Sequence, residues 1–323
     1  MTGRLANGVG PTLGRIPAQR AGAREAGQNA QMKTDGTLRA ASNDSAAFWI
    51  GETIGSFGDG VRALVPPVFE AYARILHPAW AADRAPVRWA TVAAWSGGSA
   101  HATTEFEPMA RERGRPSVGR PFTTPPLDGS LPPATLEALS DVLARHTTMP
   151  DRCHFGLWEG YGWIDWMALE MRLAAKLGLP NRTYLLFEGP LVAISDLGWR
   201  EDPSDDDLRV RALDRRSVGF RERARAFVWP NKSEKVSHRP PSPSDATLHR
   251  ESPNLIWPAD RSWFVASEID LDSTFVGGST ELINELLADS RLEAWPASPA
   301  DPVTADSDMV NGPSGDRDPA SDH

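Results

Sequence analysis

Three glutamates close short apolar runs: Glu159 after Phe155-Gly156-Leu157-Trp158, Glu188 after Leu185-Leu186-Phe187, and Glu268 after Phe264-Val265-Ala266-Ser267. Carboxylates brought together can hold a divalent cation through oxygen, or divide into a general acid and a general base when proximity raises one pKa. If the three runs are neighbouring strands, their carboxylates converge on one rim as the catalytic set of a metal-dependent or carboxylate-based hydrolase. The competing account is that a chain leaving a sheet ends on a solvated residue, with Gly160 and Gly189 making the bends. Strand order separates the two, and the sequence does not contain it. Glu268, Asp270 and Asp272 alternate along the chain and are the candidate ligands for a cation. As part of a strand they instead form its wet side, while Val265, Ile269 and Leu271 face inward.

Aromatic residues offer a second chemistry. Trp158, Tyr161, Trp163 and Trp166 crowd around Gly160 and Gly162, and glycine beside an aromatic ring leaves its face open to a ligand or peptide. With Trp257 and Trp263 they are the candidate ligand-binding residues; core packing is the alternative use of tryptophan. Asp270-Leu271-Asp272-Ser273-Thr274, after an apolar run, is similar to the nucleophile motif of haloacid-dehalogenase-type phosphotransferases. In that family the first aspartate attacks phosphorus and the second transfers a proton. The family's motif opens its domain, whereas here only about fifty residues follow.

Other constellations say less. Cys153 and His154 are adjacent in an expected strand, so their side chains point to opposite faces and do not form a nucleophilic pair; a buried thiol is expected. His77, His101 and His146 lack the i, i+4 partner of a helical zinc site. Gly55, Gly58 and Gly60 make a turn without phosphate-loop spacing. Seven arginines between Arg209 and Arg225, with Phe220, Phe227 and Trp229, are ingredients of a basic stacking surface. The acids Asp205, Asp206, Asp207, Asp214 and Glu222 interleave with them as on a salt-bridged helix.

The elements that must position these residues are legible in part. Ser130 followed by Leu131, Pro132, Pro133 and then Leu136, Leu139, Val142 and Leu143 predicts a capped amphipathic helix to about His146. Ser279 caps a second helix carrying Leu282, Ile283, Leu286 and Leu287. Trp166 to Leu177 and Ser204 to about Arg216 are further helical candidates. Strands are expected at Cys153 to Trp158, Thr183 to Phe187, Trp263 to Ile269 and, less regularly, Phe69 to Leu76. Without regular strand-helix alternation, the fold class is α+β: a single domain with a small mixed or antiparallel sheet packed by a few helices.

All twelve tryptophans lie between Trp49 and Trp295, and this marks a folded body over residues 45–296 with a Pro-rich loop or insertion near 230–256. Residues 1–44 are rich in Gly, Ala, Arg and Gln and read as a disordered extension, with Met32 an alternative start; residues 297–323 read as a disordered acidic tail. Much of the net charge of −9 sits in that tail, and a negative body does not attract phosphate backbones, which argues against nucleic acid as a partner. No run reaches the roughly 20 apolar residues of a membrane span. A single cysteine and no apolar leader point to the cytoplasm.

The stretch from Ser252-Pro253-Asn254-Leu255-Ile256-Trp257-Pro258 through Asp270-Leu271-Asp272 to Gly277-Gly278-Ser279 resembles a family of uncharacterised actinobacterial proteins. The resemblance extends to Tyr72-Ala73-Arg74-Ile75-Leu76-His77-Pro78, Leu157-Trp158-Glu159-Gly160-Tyr161-Gly162-Trp163 and Tyr184-Leu185-Leu186-Phe187-Glu188-Gly189-Pro190-Leu191. It implies no reaction, ligand or catalytic residue. The expectation is therefore a non-catalytic interaction or ligand-binding protein, its partner a small molecule or another protein. The alternative is the hydrolase of Glu159, Glu188 and Glu268, with a divalent cation as its cofactor.

Overall fold

The computed structural model describes residues 38–312 except 57, 114–118, 163, 165–168, 181, 196, 201–247, 251 and 305–306. In chain order the first elements are β1 (Arg39–Ala40), α1 (Phe48–Thr53), β2 (Ala71–Leu76), β3 (Ala79–Trp80), β4 (Pro86–Val87), α2 (Trp89–Ser96), α3 (Phe106–Ala110), α4 (Pro133–Arg145) and β5 (Cys153–Trp158). They are followed by α5 (Leu169–Arg172), β6 (Lys176–Leu179), β7 (Arg182–Gly189), β8 (Gly198–Arg200), β9 (Leu248–Arg250), β10 (Leu255–Pro258), β11 (Phe264–Ser267), β12 (Ser273–Gly278), α6 (Thr280–Ala288) and β13 (Ala294–Ala297).

One antiparallel sheet runs β1-β7-β5-β10-β11-β12-β2-β13, with β6 also paired to β7; β3-β4 and β8-β9 are separate two-stranded pairs. Period-two alternation makes the sheet two-sided. Phe155, Phe187, Ile256, Val265, Val276 and Ile75 face α4 and α6 in the larger core. The intervening residues Leu186, Leu255, Trp257, Phe264, Phe275 and Tyr72 face Trp49 and Ile50 of α1, with Val61 and Val65. A third cluster joins Leu76 to Trp89 and Val92 of α2, Phe106 and Met109 of α3, and Phe122. The fold is thus α+β, as expected.

Both principal helices form where their patterns predict, with one difference at a cap. Pro132 occupies the N-cap of α4 and no side chain caps it. Ser130 Oγ instead accepts the Ser252 amide at 3.2 Å, tying the helix entry to the approach to β10. At α6 the Ser279 hydroxyl accepts the Leu282 amide at 3.2 Å.

Several boundaries move. The body reaches beyond residues 45–296: Leu38 is buried, β1 pairs with β7, and the Asp308 side chain is fully enclosed. The 252–256 part of the expected Pro-rich loop is buried and enters β10, while 230–247 lies outside the described residues. So do Ser204 to Arg216. Among the described residues of Trp166 to Leu177 the helix is α5, and the chain then enters β6. The strand expected over Trp263 to Ile269 is β11 alone and ends at Ser267; the chain then turns through Glu268 to Asp272 before β12, which includes Gly277 and Gly278.

Candidate functional site

The antiparallel order settles where the three glutamates stand. Glu159 follows the end of β5 and Glu268 the end of β11, at one end of the sheet. Glu188 lies at the end of β7, opposite His154 at the start of β5, and therefore at the other end. They do not converge. Each of the first two already has a cation: Lys176 Nζ is 2.6 Å from Glu159, and Arg182 Nη2 is 2.8 Å from Glu268. Arg182 also holds Asp270 at 2.6 Å, whereas Asp272 faces Arg74 at 3.5 Å. Glu268, Asp270 and Asp272 are thus divided between two guanidiniums instead of sharing a metal, and no cluster of three metal-binding side chains occurs among the described residues.

The aromatic candidates separate in the same way. Trp257 and Trp263 are 1% and 0% exposed and belong to the cores on opposite faces of the sheet, so they do not line one surface. Trp257 stacks between His154 and Phe264, and Trp263 donates its indole N–H to the Leu143 carbonyl at 3.1 Å, closing the C-terminal end of α4. Trp158 and Tyr161 are half-buried and meet edge to face at 5.2 Å, with the Arg182 guanidinium over the Trp158 ring. Trp163 and Trp166 lie outside the described side chains. Cys153 is buried on the face opposite His154, and burial pushes its thiol up to about 12, as an inert thiol requires.

A buried polar system at the Glu159 and Glu268 end of the sheet was not legible in sequence. Arg74 on β2 is 5% exposed and sits between the Trp89 and Phe275 rings. Its guanidinium donates to Ser273 Oγ at 2.9 Å and to the Thr104 carbonyl at 2.7 Å, and faces Asp272 at 3.5 Å and Glu105 at 3.9 Å. Burial pushes Asp272 up to about 6 and Glu105 up to about 7, against the pull of Arg74. Beside it His77 Nδ1 donates to the Leu127 carbonyl at 2.6 Å, so Nε2 accepts from Thr274, whose oxygen lies 2.6 Å from Ser267 Oγ. Burial holds the ring neutral, down to about 4. Ser267 and Thr274 are themselves buried, so this chain of hydroxyls binds strands together and presents no nucleophile to solvent.

The opposite end of the sheet carries an open cleft of about 470 Å³, lined by Arg39, Asp151, Arg152, Cys153, His154, Glu188, Gly189 and Pro190. Strand register builds it. Arg39, Glu188, His154 and Trp257 are successive cross-strand neighbours on β1, β7, β5 and β10, so their side chains share one face. Buried Trp257 stacks 5.4 Å from His154 and fixes the imidazole. Burial lowers the His154 pKa, and Arg152 and Arg261 lower it further against the opposing effect of Glu188. Among the described residues, the side chains of Arg39, Arg152, His154 and Glu188 have no hydrogen bond or ion pair. A second cavity, of about 30 Å³ beside Tyr184, Ser267 and Glu268, has room for about one water. Of the cleft's lining, the sequence offers Glu188 as a site residue and Cys153 and His154 only as a nucleophilic pair that strand geometry rules out. Arg39 and Arg152 carry no local pattern, and their meeting depends on pairing β1 and β5 with β7.

Fold and site together define an α+β protein built on one antiparallel sheet, with a polar cleft at the end opposite its buried ion network. No family model, curated protein or solved structure matches the chain.

Proposed function

We propose that this chain is a non-catalytic cytoplasmic protein that binds a small polar ligand in the cleft between Arg39, Arg152, His154 and Glu188, and that it belongs to the actinobacterial group its motifs resemble. One observation carries the binding reading. Arg74, Arg145, Arg182 and Arg291 are matched by carboxylates within 4 Å, whereas the cleft gathers exposed charges of both signs that are unpaired within the described protein and face a common space. The volume lies within the range of small-molecule sites, and the floor is rigid because the imidazole rests on a buried indole. The separation of Glu159 from Glu188 weighs against the carboxylate hydrolase.

Equilibrium dialysis of the full chain against a small-metabolite extract, read by mass spectrometry, tests the proposal. The wild-type protein should retain compounds that the Arg152→Glu, Glu188→Lys double variant does not. Identical retention by both proteins would sink the cleft as a ligand site, and consumption of the retained compound would replace binding by catalysis.

A further inference from the structure

We infer that the cleft selects a zwitterion, a free amino acid or a short peptide, taking its carboxylate on Arg39 and Arg152 and its ammonium group on Glu188 and Asp151. This rests on the binding reading above and adds the ligand's chemical class.

Two guanidiniums and two carboxylates line the space, so the lining is neutral overall once His154 is neutral. A polyanion would meet Asp151 and Glu188, and a polycation would meet both arginines, each with a like charge it cannot avoid. A ligand bearing one charge of each sign satisfies all four groups. Guanidinium forks bind carboxylates through paired hydrogen bonds, and carboxylates accept the N–H groups of an ammonium.

The strand frame supplies the separation. Glu188 on β7 lies between Arg39 on β1 and the β5 residues that follow Arg152, each strand being roughly 4.8 Å from the next. A ligand whose two charges are a few bonds apart spans one such step. The remaining volume accommodates its side chain, with the imidazole edge of His154 as a neutral polar contact. Ordered water completes contacts that the ligand does not reach.

Titration calorimetry of the full chain with each of the twenty common L-amino acids and with glycyl-L-leucine tests this. The tightest binder is then compared with its N-acetyl derivative, its amide and inorganic phosphate. The free zwitterion should bind, and removing either charge should weaken binding at least tenfold. Arg39→Ala and Glu188→Gln should each cost at least tenfold, while Arg291→Ala, at a surface pair remote in sequence, should leave affinity unchanged.

If the N-acetyl form, the amide or phosphate binds as tightly and the cleft substitutions abolish that binding, the cleft is a ligand site and the zwitterion preference is wrong. If binding survives Arg39→Ala combined with Glu188→Gln, the assignment to this cleft is wrong as well. Absence of binding by every zwitterion overturns the ligand class and leaves the dialysis result to judge the cleft.

Discussion

Arg74 is the single side chain on which two half-buried carboxylates depend. Asp272 and Glu105 face its guanidinium at 3.5 and 3.9 Å, and no other cation stands within ion-pairing distance of either among the described residues. Replacing it with alanine strands both, and removing one partner of a buried ion pair typically costs about 3–5 kcal/mol. Arg74→Ala should therefore lower the urea midpoint strongly at pH 8. At pH 5 the loss should be smaller, because both carboxyls, already raised to about 6 and about 7, take up protons and need no cation. An equal loss at both pH values would show that packing against Trp89 and Phe275, and not charge, is what the arginine supplies. The sequence offers Asp272 only as part of a possible metal site, because acids alternate from Glu268 to Asp272. It could not show that Arg74, nearly two hundred residues earlier, lies on β2, the strand that pairs with β12 directly after Asp272. The opposite facing of Cys153 and His154 was legible because it follows from strand geometry alone.

Elements with a local signature were recovered, and those that exist only through their neighbours were not. The Leu282, Ile283 and Leu286 stripe of α6 and its serine cap can be read from ten residues, and the structure uses both. Ser279→Ala should cost about 1 kcal/mol, the usual value of an N-cap, with thermal denaturation as the measurement. A loss below a few tenths would mean that burial of the stripe alone fixes the helix end. By contrast β1, β6 and β13 are two to four residues long and carry no alternation of their own; pairing with β7 or β2 defines them. The 55–62 turn is a mixed case, recognised by its glycines but not by what it packs against. Gly60 has φ +81° and a Cβ there would strike the Asp301 carbonyl oxygen, while Val61 and Arg62 donate their amides to Asp301 and Pro299 at 3.0 Å. Gly60→Ala is expected to destabilise by about 1–3 kcal/mol through strain at this contact. An unchanged denaturation midpoint would show that the 298–301 segment moves away freely.

The segment after β13 is part of the fold, and the protonation state of its docking site governs how firmly it is held. The Asp308 carboxylate accepts the amides of Glu105 and Asn311 at 3.1 and 2.8 Å and the Asn311 side-chain amide at 2.7 Å, and lies 2.9 Å from His101 Nε2; burial pushes its pKa up, but these bonds outweigh it and hold the carboxyl below the usual range. A chain ending at Ala297 should therefore be less stable than one ending at Gly312, since it loses these bonds and leaves the Glu105 amide and Arg74 cluster open to solvent. Glu105 stands at the junction and sets the pH dependence. Its folded pKa of about 7 is above the ordinary 4.5, so the folded protein keeps a proton that the unfolded chain releases. The corresponding stability is fully present below about pH 4.5 and is lost as pH rises through about 7. His77 works in the opposite sense: held neutral down to about 4, it contributes stability above about pH 6.5 that disappears as pH falls through 4. The two partly cancel in the wild-type profile, and the comparison with Glu105→Gln isolates the carboxyl. The amide keeps the shape of the side chain and cannot ionise beside Asp272 and Asp308. The variant should approach the wild type near pH 4 and exceed it by about 3 kcal/mol at pH 8, measured by urea denaturation across that range. A variant that loses stability equally at both pH values would show that Glu105 is charged throughout and that its attraction to Arg74 outweighs the cost of burying it.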